Sequence, residues 1–370
     1  MFKFKIERSD MGAVAGKIQE AGTWIKTPIR VLNSRELTHG EKVMNGAISM
    51  QEFPHPIYEI PRHFRKNTIL SFIKNHEVSY KIQKQVEKDS SKGGNRITLF
   101  HPSFDKDFEV TDEINAKLIE MQLQCNIDGV SIWDNNKSSH ESWDKRLNKS
   151  INLVEDSALE PMPTLNMGMD DIVFKKKLDV VKDHKTVLLN VAYAPIKKFY
   201  RNYLHLIKLV ENNDIWVHMS EVDRYWRGNY QSSMMHIAPF LGVSSVTVKS
   251  KPLGFGLFKR VPKPAKRFDG RCLGHITSKE HNQRYGKDLG CDCFVDEGRD
   301  LDGFYNNFSG SELLNSALVC HEVNGSLDEF SNFRKSILQS DCMNYVKEKE
   351  FMKSPFKKIF KIDFDNRTLN

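Results

Sequence analysis

The sequence predicts an α/β protein, a (β/α)8 TIM barrel, because short apolar runs alternate with amphipathic segments along most of the chain. The runs are five to seven residues long and rich in Val, Ile and Leu, which is typical of strands buried on both faces of a parallel sheet. This many strand–helix units favour a barrel over a doubly wound sheet. The predicted strands are 29–33, 97–101, 129–134, 187–193, 215–220 and 245–250, with one more expected around 47–52.

The predicted helices rest on the spacing of apolar residues and on one N-cap. In segment 111–125, Thr111 precedes two acidic residues, the pattern of an N-cap followed by a first helical turn. The apolar residues of this segment recur on one helical face and are Ile114, Leu118, Met121 and Cys125. Similar spacing predicts helices over 170–181, 196–211 and 230–241.

The composition is that of a folded protein. The chain has 370 residues, of which 39% are hydrophobic and 28% charged, and this balance excludes a disordered, collagen-like or coiled-coil protein. Its apolar stretches are shorter than the roughly 20 residues that span a bilayer, and the N-terminus lacks the apolar core of a signal peptide. Six cysteines are too few and too unevenly spaced for a disulfide scaffold. We therefore expect a cytoplasmic protein without a membrane segment.

A basic segment follows the last predicted strand. Residues 249–267 carry seven Lys or Arg and no acidic residue, in a chain whose net charge is only +7. The segment also carries Phe255, Leu257 and Phe258, and basic residues interleaved with aromatic ones suit a nucleic-acid backbone and its bases. Its candidate nucleic-acid contacts are Lys259, Arg260 and Lys263. The alternative interpretation is an ordinary solvated loop.

Residue types that bind metal ions cluster near the C-terminus. Cys291 and Cys293 form a C-x-C pair, which brings two thiolates together on one turn. Asp296 and His321 would complete a tetrahedral site for a structural zinc ion, which accepts sulfur, nitrogen and oxygen ligands. Cys320, beside His321, is a further candidate ligand. The alternative is a pair of buried thiols without a metal.

Four parts of the chain, taken in order, resemble the tRNA-guanine transglycosylase superfamily, and within it a divergent, phage-type branch that modifies DNA. They are the glycine-rich hairpin 16–29 ending in Thr-Pro, the helix–strand segment 119–134 with Gln122, Asp128 and Asp134, the last strand and its extension (241–248 and 267–276), and the cluster from Cys291 to His321. Each motif is short, but the four occur in the order of the family.

The resemblance implies both a fold and an activity. Members of the superfamily exchange guanine for a 7-deazaguanine, so the expected partners are DNA or tRNA and the incoming base. The implied domains are a barrel over 1–285 and a zinc-binding insertion with closing helices over 286–370. By their match to family motifs, Asp134 recognises the guanine edge, Phe104 stacks on the base and the zinc is structural. The oligomeric state stays open between a homodimer and a complex with another partner.

The chain departs from the family at three functional positions. Asp296 stands where the family has a third zinc-binding cysteine, and zinc also accepts a carboxylate. Segment 100–104 retains only the final Phe of the Asp-Ser-Gly-x-Phe motif that carries one catalytic aspartate. The last strand, where the family carries its nucleophilic aspartate, offers Ser244, Ser245 and Thr247. Both catalytic carboxylates are therefore missing from their expected positions.

Replacement carboxylates are available at another predicted strand end. Base exchange needs a carboxylate at the sugar C1′ and an acid near the departing base, and barrel enzymes carry such groups at the C-terminal ends of their strands. Glu221 and Asp223 follow strand 215–220, and His101 ends strand 97–101. We therefore predict a pentosyltransferase in which Glu221 or Asp223 is the nucleophile and His101 is an acid or a phosphate contact.

Other interpretations stay open. Glu221 and Asp223 also suit a solvated loop, His101 a hydrogen-bonded loop and Asp134 a helix N-cap. DNA is slightly favoured over tRNA, since the loss of the motif carboxylates suits a branch that has left tRNA. The alternative function is a non-catalytic nucleic-acid-binding subunit that keeps the barrel and the zinc site. A barrel enzyme for a small metabolite would leave the basic segment unexplained.

Overall fold

The computed structural model describes residues 2–20, 22–44, 53–105, 108–134, 137–157, 159–226, 229–249 and 264–361. Its strands are β1 (Lys3–Asp10), β2 (Ala13–Glu20), β3 (Thr23–Thr27), β4 (Ile29–Arg30), β5 (Leu32–Asn33), β6 (Ile57–Phe64), β7 (Ile97–Phe104), β8 (Gly129–Trp133), β9 (Glu160–Asn166), β10 (Leu188–Ala192), β11 (Trp216–Val222), β12 (Tyr225–Trp226), β13 (Asn229–Ser233), β14 (Ser245–Val248), β15 (Lys266–Asp269) and β16 (Gly274–Thr277). Its α-helices are α1 (Ser34–Val43), α2 (Lys66–Lys74), α3 (His76–Ser91), α4 (Asp112–Leu123), α5 (His140–Glu155), α6 (Asp171–Asp183), α7 (Ile196–Asn212), α8 (Ser278–Tyr285), α9 (Leu301–Asn307), α10 (Ser311–Leu338), α11 (Cys342–Glu348) and α12 (Glu350–Phe360).

A nine-stranded parallel sheet, flanked by helices, forms a nearly closed barrel. Its hydrogen-bonded order is β4-β14-β11-β10-β9-β8-β7-β6-β5. The two end strands, β4 and β5, are separated only by Val31, so both edges of the sheet lie in one segment of the chain. If that segment counts as one strand interrupted at Val31, the nine strands become eight, and the fold is consistent with a TIM-like barrel.

All six predicted barrel strands are confirmed, with ends shifted by a few residues. Segment 29–33 forms β4 and β5, and the other five form β7, β8, β10, β11 and β14. The additional strand expected around 47–52 lies outside the described residues. Two barrel strands, β6 and β9, were not predicted from the sequence.

Prolines explain why these two strands escape sequence analysis. A proline normally argues against a central strand because it cannot donate to the ladder, yet β6 contains one proline and β9 contains Pro161 and Pro163. The N–H of Glu160 donates to the carbonyl of Asp128, on the side of β8. Successive residues of a strand direct their backbone nitrogens to opposite neighbours, so the nitrogens of Pro161 and Pro163 face β10. The pairing of β10 with β9 begins only at Thr164. The missing N–H groups therefore interrupt no hydrogen-bonded ladder.

Three of the four predicted helices are confirmed as α4, α6 and α7. Thr111 caps α4, with its hydroxyl accepting from the N–H of Ile114 at 3.3 Å. The helix predicted over 230–241 is wrong, because this segment continues strand β13 and then forms two 3-10 helices, Met234–His236 and Ala238–Leu241. Residues 232–241 are all buried, and Pro239 has no N–H to continue a helix. The segment therefore packs on every side instead of presenting one polar face.

The antiparallel sheet β1-β2-β3 closes the N-terminal end of the barrel. Phe2 packs edge-on against Trp216, with ring centroids 5.5 Å apart, and its N–H donates to Glu160 Oε2 at 3.2 Å. Phe2 and Phe4 share one apolar cluster with residues from the N-terminal ends of six barrel segments. Because this end is filled, a ligand would enter from the C-terminal end of the strands, where the βα loops emerge.

Helix α10 joins the C-terminal region to the first barrel strand through buried charges. The Glu322 carboxylate lies 3.2 Å from Nε of Arg224 and 3.1 Å from Nε2 of His275. Its other oxygen lies 3.6 Å from Nη1 of Arg30, which also pairs with Glu36 of α1. The helix is 28 residues long, but neither it nor any other described helix has the length and apolar character needed to cross a membrane.

We expect the Glu322 charge to be a large contributor to stability. Glu322→Gln keeps the side-chain size but leaves Arg30, Arg224 and His275 without their shared carboxylate. Loss of one member of a buried ion pair costs roughly 3–5 kcal/mol, so the free energy of unfolding, measured in urea at pH 7, should fall by about that amount. Glu312→Gln is the matched control on the same helix, because Glu312 is 70% exposed and exposed pairs contribute at most about 1 kcal/mol.

The stability difference between wild type and Glu322→Gln should also depend on pH. Burial raises the pKa of Glu322, but Arg224 and His275 outweigh burial and hold this pKa well below its usual value. A carboxylate with a lowered pKa contributes stability that is complete above its unfolded pKa, about 4.3, and is lost as the pH falls below it. The two unfolding curves should therefore converge in acid. A difference that stays constant from pH 7 to about pH 2.5 would contradict an ionised Glu322.

Candidate active site and metal centre

The interior of the barrel is polar. Parallel barrels are ordinarily filled by layers of branched apolar side chains, but here seven strands contribute buried polar groups. They are Glu59, His101, Ser131, Thr164, Asn190, His218, Ser220, Ser245 and Thr247. Buried polar groups need hydrogen-bond partners, and these residues supply them to one another.

Glu59 on β6 lies at the centre of this network. Its Oε2 accepts hydrogen bonds from Nε2 of His218 at 2.6 Å and from the hydroxyl of Ser220 at 2.7 Å. Burial raises the pKa of Glu59, but the hydrogen bond and charge of His218 lower it below its ordinary value. Glu59 is therefore ionised at neutral pH. Its second oxygen, Oε1, has no hydrogen-bond partner among the described residues.

A second pair of contacts fixes the orientation of His218. Trp216 donates its indole N–H to Oγ of Ser245 at 2.7 Å, and Ser245 Oγ lies 2.9 Å from Nδ1 of His218. The ionised Glu59 carboxylate can only accept, so Nε2 of His218 carries a proton, and Nδ1 is held by the Ser245 hydroxyl. His218 is thereby held with its Nε2–H directed at Glu59.

His101 on β7 presents a ring nitrogen to the same interior. The Asn190 amide donates to Nδ1 of His101 at 3.0 Å, which leaves the proton of the neutral ring on Nε2. Nε2 has no hydrogen-bond partner among the described residues. Burial lowers the pKa of His101, although Glu59 and Glu221 act in the opposite direction. The neutral ring therefore offers one unpartnered N–H donor.

A cavity of about 600 Å³ opens above this network at the C-terminal end of the strands. It is lined by Arg35, Glu59, Pro61, His63, Arg65, Ser103, Phe104, Glu221, Thr247, Val248 and Lys249. Two arginines and a lysine give it a basic rim. Phe104 belongs to an aromatic wall, stacking on Phe64 at 5.9 Å and on Phe108 at 5.8 Å between ring centroids. The cavity thus combines carboxylates, a flat apolar wall and a rim suited to anions.

Glu221 reaches the cavity through a distortion of β11. The pairing of β11 with β14 shifts register between Met219 and Val222, and Glu221 itself has φ +58°. Positive φ is uncommon outside glycine and costs about 1–3 kcal/mol, and such residues cluster at functional sites. Bulges of this kind redirect side chains next to active sites. Asp223, two residues further, is not among the described residues that line the cavity.

Asp134 lies elsewhere, in a buried ion pair. Both carboxylate oxygens are 2.8 Å from Nζ of Lys177 on α6, and Ser138 donates to Oδ1 at 3.2 Å. Burial raises the pKa of Asp134 to about 6, against the lowering effect of Lys177. The described residues that line the cavity do not include Asp134.

Of the predicted site residues, Phe104 and Glu221 line the cavity, and His101 belongs to the buried polar network of the barrel interior. The described residues that line the cavity include neither Asp134 nor Asp223. The candidate nucleic-acid contacts Lys259, Arg260 and Lys263 lie outside the described residues. Sequence analysis missed Glu59 and His218. An acidic residue inside an apolar run was the available signal for Glu59, but its strand was not predicted.

The four predicted metal ligands converge near the C-terminus. One ligand atom from each of Cys291, Cys293, Asp296 and His321 lies within 4.8 Å of the others. Tight turns bring the first three together, since the N–H of Asp296 donates to the carbonyl of Cys293 at 2.8 Å. The fourth comes from the middle of α10, where His321 donates from Nε2 to the carbonyl of Phe268 at 2.8 Å. This bond turns Nδ1 toward the cluster, as outer partners of metal-binding histidines commonly do.

The chemistry of the cluster fits a metal cation. Burial raises the pKa of Asp296, but His321 and Arg267 outweigh it and lower the pKa. The hydrogen bond from Cys293 lowers the pKa of Cys291, and the same bond raises that of Cys293. Asp296 Oδ1 is buried without a hydrogen-bond partner among the described residues. Two sulfurs, a carboxylate with an unused oxygen and an oriented imidazole form a group that could hold a metal ion.

Comparison with protein-family models and with curated proteins gives no match to this chain.

We expect the purified protein to contain about one metal ion per chain. Cys293→Ala should lose the ion and also unfold at a lower temperature, because metal binding to such a site contributes to folding. Elemental analysis and thermal unfolding measure the two effects. Cys125→Ala is the control for the loss of a thiol, since Cys125 is buried but is not one of the four clustered residues. Wild-type protein that stays metal-free when purified with metal in the buffer would contradict the site.

Proposed function

We propose that this chain is a base-exchange transglycosylase that replaces guanine in nucleic acid with a 7-deazaguanine derivative. The observation that carries the proposal is the cavity at the C-terminal end of the barrel. It holds two carboxylates, Glu59 and Glu221, beside the aromatic wall of Phe104 and under a basic rim. Chemistry on a base within a polymer requires the nucleotide to leave the stack and enter such a pocket.

The proposed reaction is a double displacement at C1′ of the sugar. A Glu221 oxygen attacks C1′ while the bond from C1′ to guanine N9 breaks, and the departing base takes the electron pair. His101 is neutral, and its Nε2–H donates a hydrogen bond that stabilises the negative charge on that base, which then takes a proton from water. The incoming 7-deazaguanine loses its N9 proton to the resulting hydroxide, attacks C1′ through N9 and releases Glu221. Atoms and charges balance with water, which is regenerated, as the only other reactant, and splitting the exchange into two steps is the usual gain of a covalent intermediate.

We propose DNA as the favoured polymer, with tRNA as the alternative. The rim residues Arg35, Arg65 and Lys249 line the cavity, and phosphate contacts from such residues position a nucleic acid without reading its sequence. Lys249 also begins the basic segment 249–267. The first residue of this segment therefore lies at the cavity rim, where a polymer backbone would run.

We propose that the ion at the cluster is zinc and that it is structural. Two thiolates, one imidazole and one carboxylate make four ligands of types that tetrahedral zinc accepts. Zinc bound by all four would stabilise the fold and leave no coordination position for a substrate. Because a carboxylate replaces a third thiolate, the ligand set is chemically harder (less polarisable) than that of a three-cysteine site. The two-domain division, the cytoplasmic location and the oligomeric state stay predictions.

A second candidate is a nucleic-acid-binding subunit without activity. Thr247, which stands in the strand where the family carries its nucleophile, lines the cavity and cannot replace a carboxylate. If no carboxylate reaches C1′, the protein would bind a base and not exchange it. The experiment below separates the two functions.

Glu221→Gln should abolish incorporation of radiolabelled guanine into DNA or tRNA. The amide cannot form the covalent intermediate, so activity should fall by at least about 10³-fold while nucleic-acid binding changes little, the pattern of a group that acts in the transition state. Asp223→Asn tests the other predicted carboxylate and should retain incorporation, because Asp223 does not line the cavity. Incorporation that survives Glu221→Gln but not Asp223→Asn would reverse the assignment. Binding without any incorporation by the wild type would favour the non-catalytic subunit.

Neutralising the basic segment should weaken nucleic-acid binding in a salt-dependent manner. Replacing Lys259, Arg260, Lys263 and Lys266 with Gln removes phosphate contacts, and each lost contact reduces the slope of log K against log salt by roughly 0.7–0.9. The measurement is fluorescence anisotropy with a labelled duplex from 50 to 300 mM salt. Lys81, Lys84, Lys175 and Lys182, replaced together, are the control set on helices α3 and α6. Equal affinities of the two variants at low salt would show that the segment is an ordinary solvated loop.

A further inference from the structure

We infer that Glu59 reads the Watson–Crick edge of the guanine, in place of Asp134, and this inference rests on the proposed function. The family resemblance assigns base recognition to Asp134. Three observations favour base recognition by Glu59, at the floor of the cavity, instead. They are the partners of Asp134, the unused oxygen of Glu59 and the depth of each residue in the barrel.

The Asp134 carboxylate is already occupied. Both of its oxygens lie 2.8 Å from Nζ of Lys177, and the two side chains are completely buried. The carboxylate does not line the cavity, and a guanine that displaced Lys177 from it would leave the ammonium buried without a counterion. Uncompensated buried charges are strongly unfavourable. Asp134 is therefore a structural partner of α6.

Glu59 has the opposite arrangement. Its Oε2 is held by His218 and Ser220, which fix the side chain in one position. Its Oε1 is buried and has no hydrogen-bond partner among the described residues, yet Glu59 lines the cavity. An ionised carboxylate oxygen is a strong acceptor, and leaving it unmatched is costly. A ligand that carries N–H donors would satisfy it.

The position of Glu59 suits the base and not the sugar. Glu59 is the third residue of β6 (Ile57–Phe64), whereas Phe104 ends β7 and Glu221 is next to the end of β11. Glu59 is completely buried, and the other two are partly exposed. A base that enters through the C-terminal opening therefore meets Glu59 with its leading edge, while its sugar stays near Glu221.

The donor and acceptor pattern matches guanine. The guanine edge carries two adjacent donors, N1–H and the 2-amino group, beside the O6 acceptor, and the two adjacent donors are absent from adenine. Oε1 of Glu59 can accept from these donors, and Nε2–H of His101 can donate to O6. Hypoxanthine lacks only the 2-amino group. The ratio of the affinities for guanine and hypoxanthine therefore measures the contact between this amino group and Glu59.

The test is calorimetric titration of the full-length protein with free guanine and free hypoxanthine. Wild type should bind guanine at least about tenfold more tightly, the effect of one hydrogen bond to a charged group. Glu59→Gln should bring the ratio of the two affinities close to one. Glu160→Gln is the matched control, a buried barrel carboxylate at the opposite end that accepts from Phe2, and it should keep the wild-type ratio. The ratio does not depend on the fraction of protein that is folded.

Radiolabelled guanine incorporation, measured on the same preparations, separates the two hypotheses. If the wild type incorporates guanine and Glu59→Gln keeps the wild-type ratio, the assignment of Glu59 is overturned and the proposed function stands. If the wild type neither binds nor incorporates guanine, the proposed function fails and the assignment fails with it. Should Glu59→Gln fail to fold, as judged by circular dichroism, Glu59→Asp takes its place. The Asp side chain keeps the negative charge but is one methylene shorter, so its carboxylate lies further from the base. This variant too should lose the preference for guanine.

Discussion

The interior of this barrel is organised around one buried negative charge, the carboxylate of Glu59. A carboxylate removed from water stays ionised only if hydrogen bonds and nearby positive potential replace its hydration. His218 and Ser220 meet this need directly, and Ser245 in turn holds His218. The requirement spreads across neighbouring strands, because each added polar group needs a partner of its own. A layer that would otherwise be Val, Ile and Leu becomes a hydrogen-bonded network with a cavity above it.

Helix α10 supplies the connection between this barrel and the metal cluster. His321 and Glu322 are neighbours in sequence, so they project from the helix about 100° apart. One faces the cysteine loop and the other the buried arginines beside the first barrel strand. Folding of the cysteine loop and closure of the barrel at Arg30 therefore constrain the same helix. An ion at the cluster would stabilise both by fixing the helix in place.

Asp134 and Glu59 are two buried carboxylates of the same barrel with opposite access to its cavity. Every strand of the barrel ends at the same rim, so a side chain from one strand can occupy the volume that another has left. Lys177 closes access to Asp134, while β6 provides a carboxylate deep in the cavity and the bulge in β11 provides one at its rim. The carboxylates that line the cavity are therefore those of β6 and β11, and Asp134 is not among the described residues that line it.

Much of the architecture is determined by the sequence alone, because burial on both faces leaves a local pattern of apolar residues. Six barrel strands, three helices and the four clustered residues that could hold a metal ion follow from such patterns or from ligand chemistry. Strands β6 and β9 do not, since their prolines are acceptable only where a neighbouring strand leaves the N–H unused. The candidate active site depends still more on tertiary structure. Glu59 and His218 are 159 residues apart, and Asp134 and Lys177 are 43 apart, so which charge is paired and which is left facing the cavity is decided only when the barrel closes.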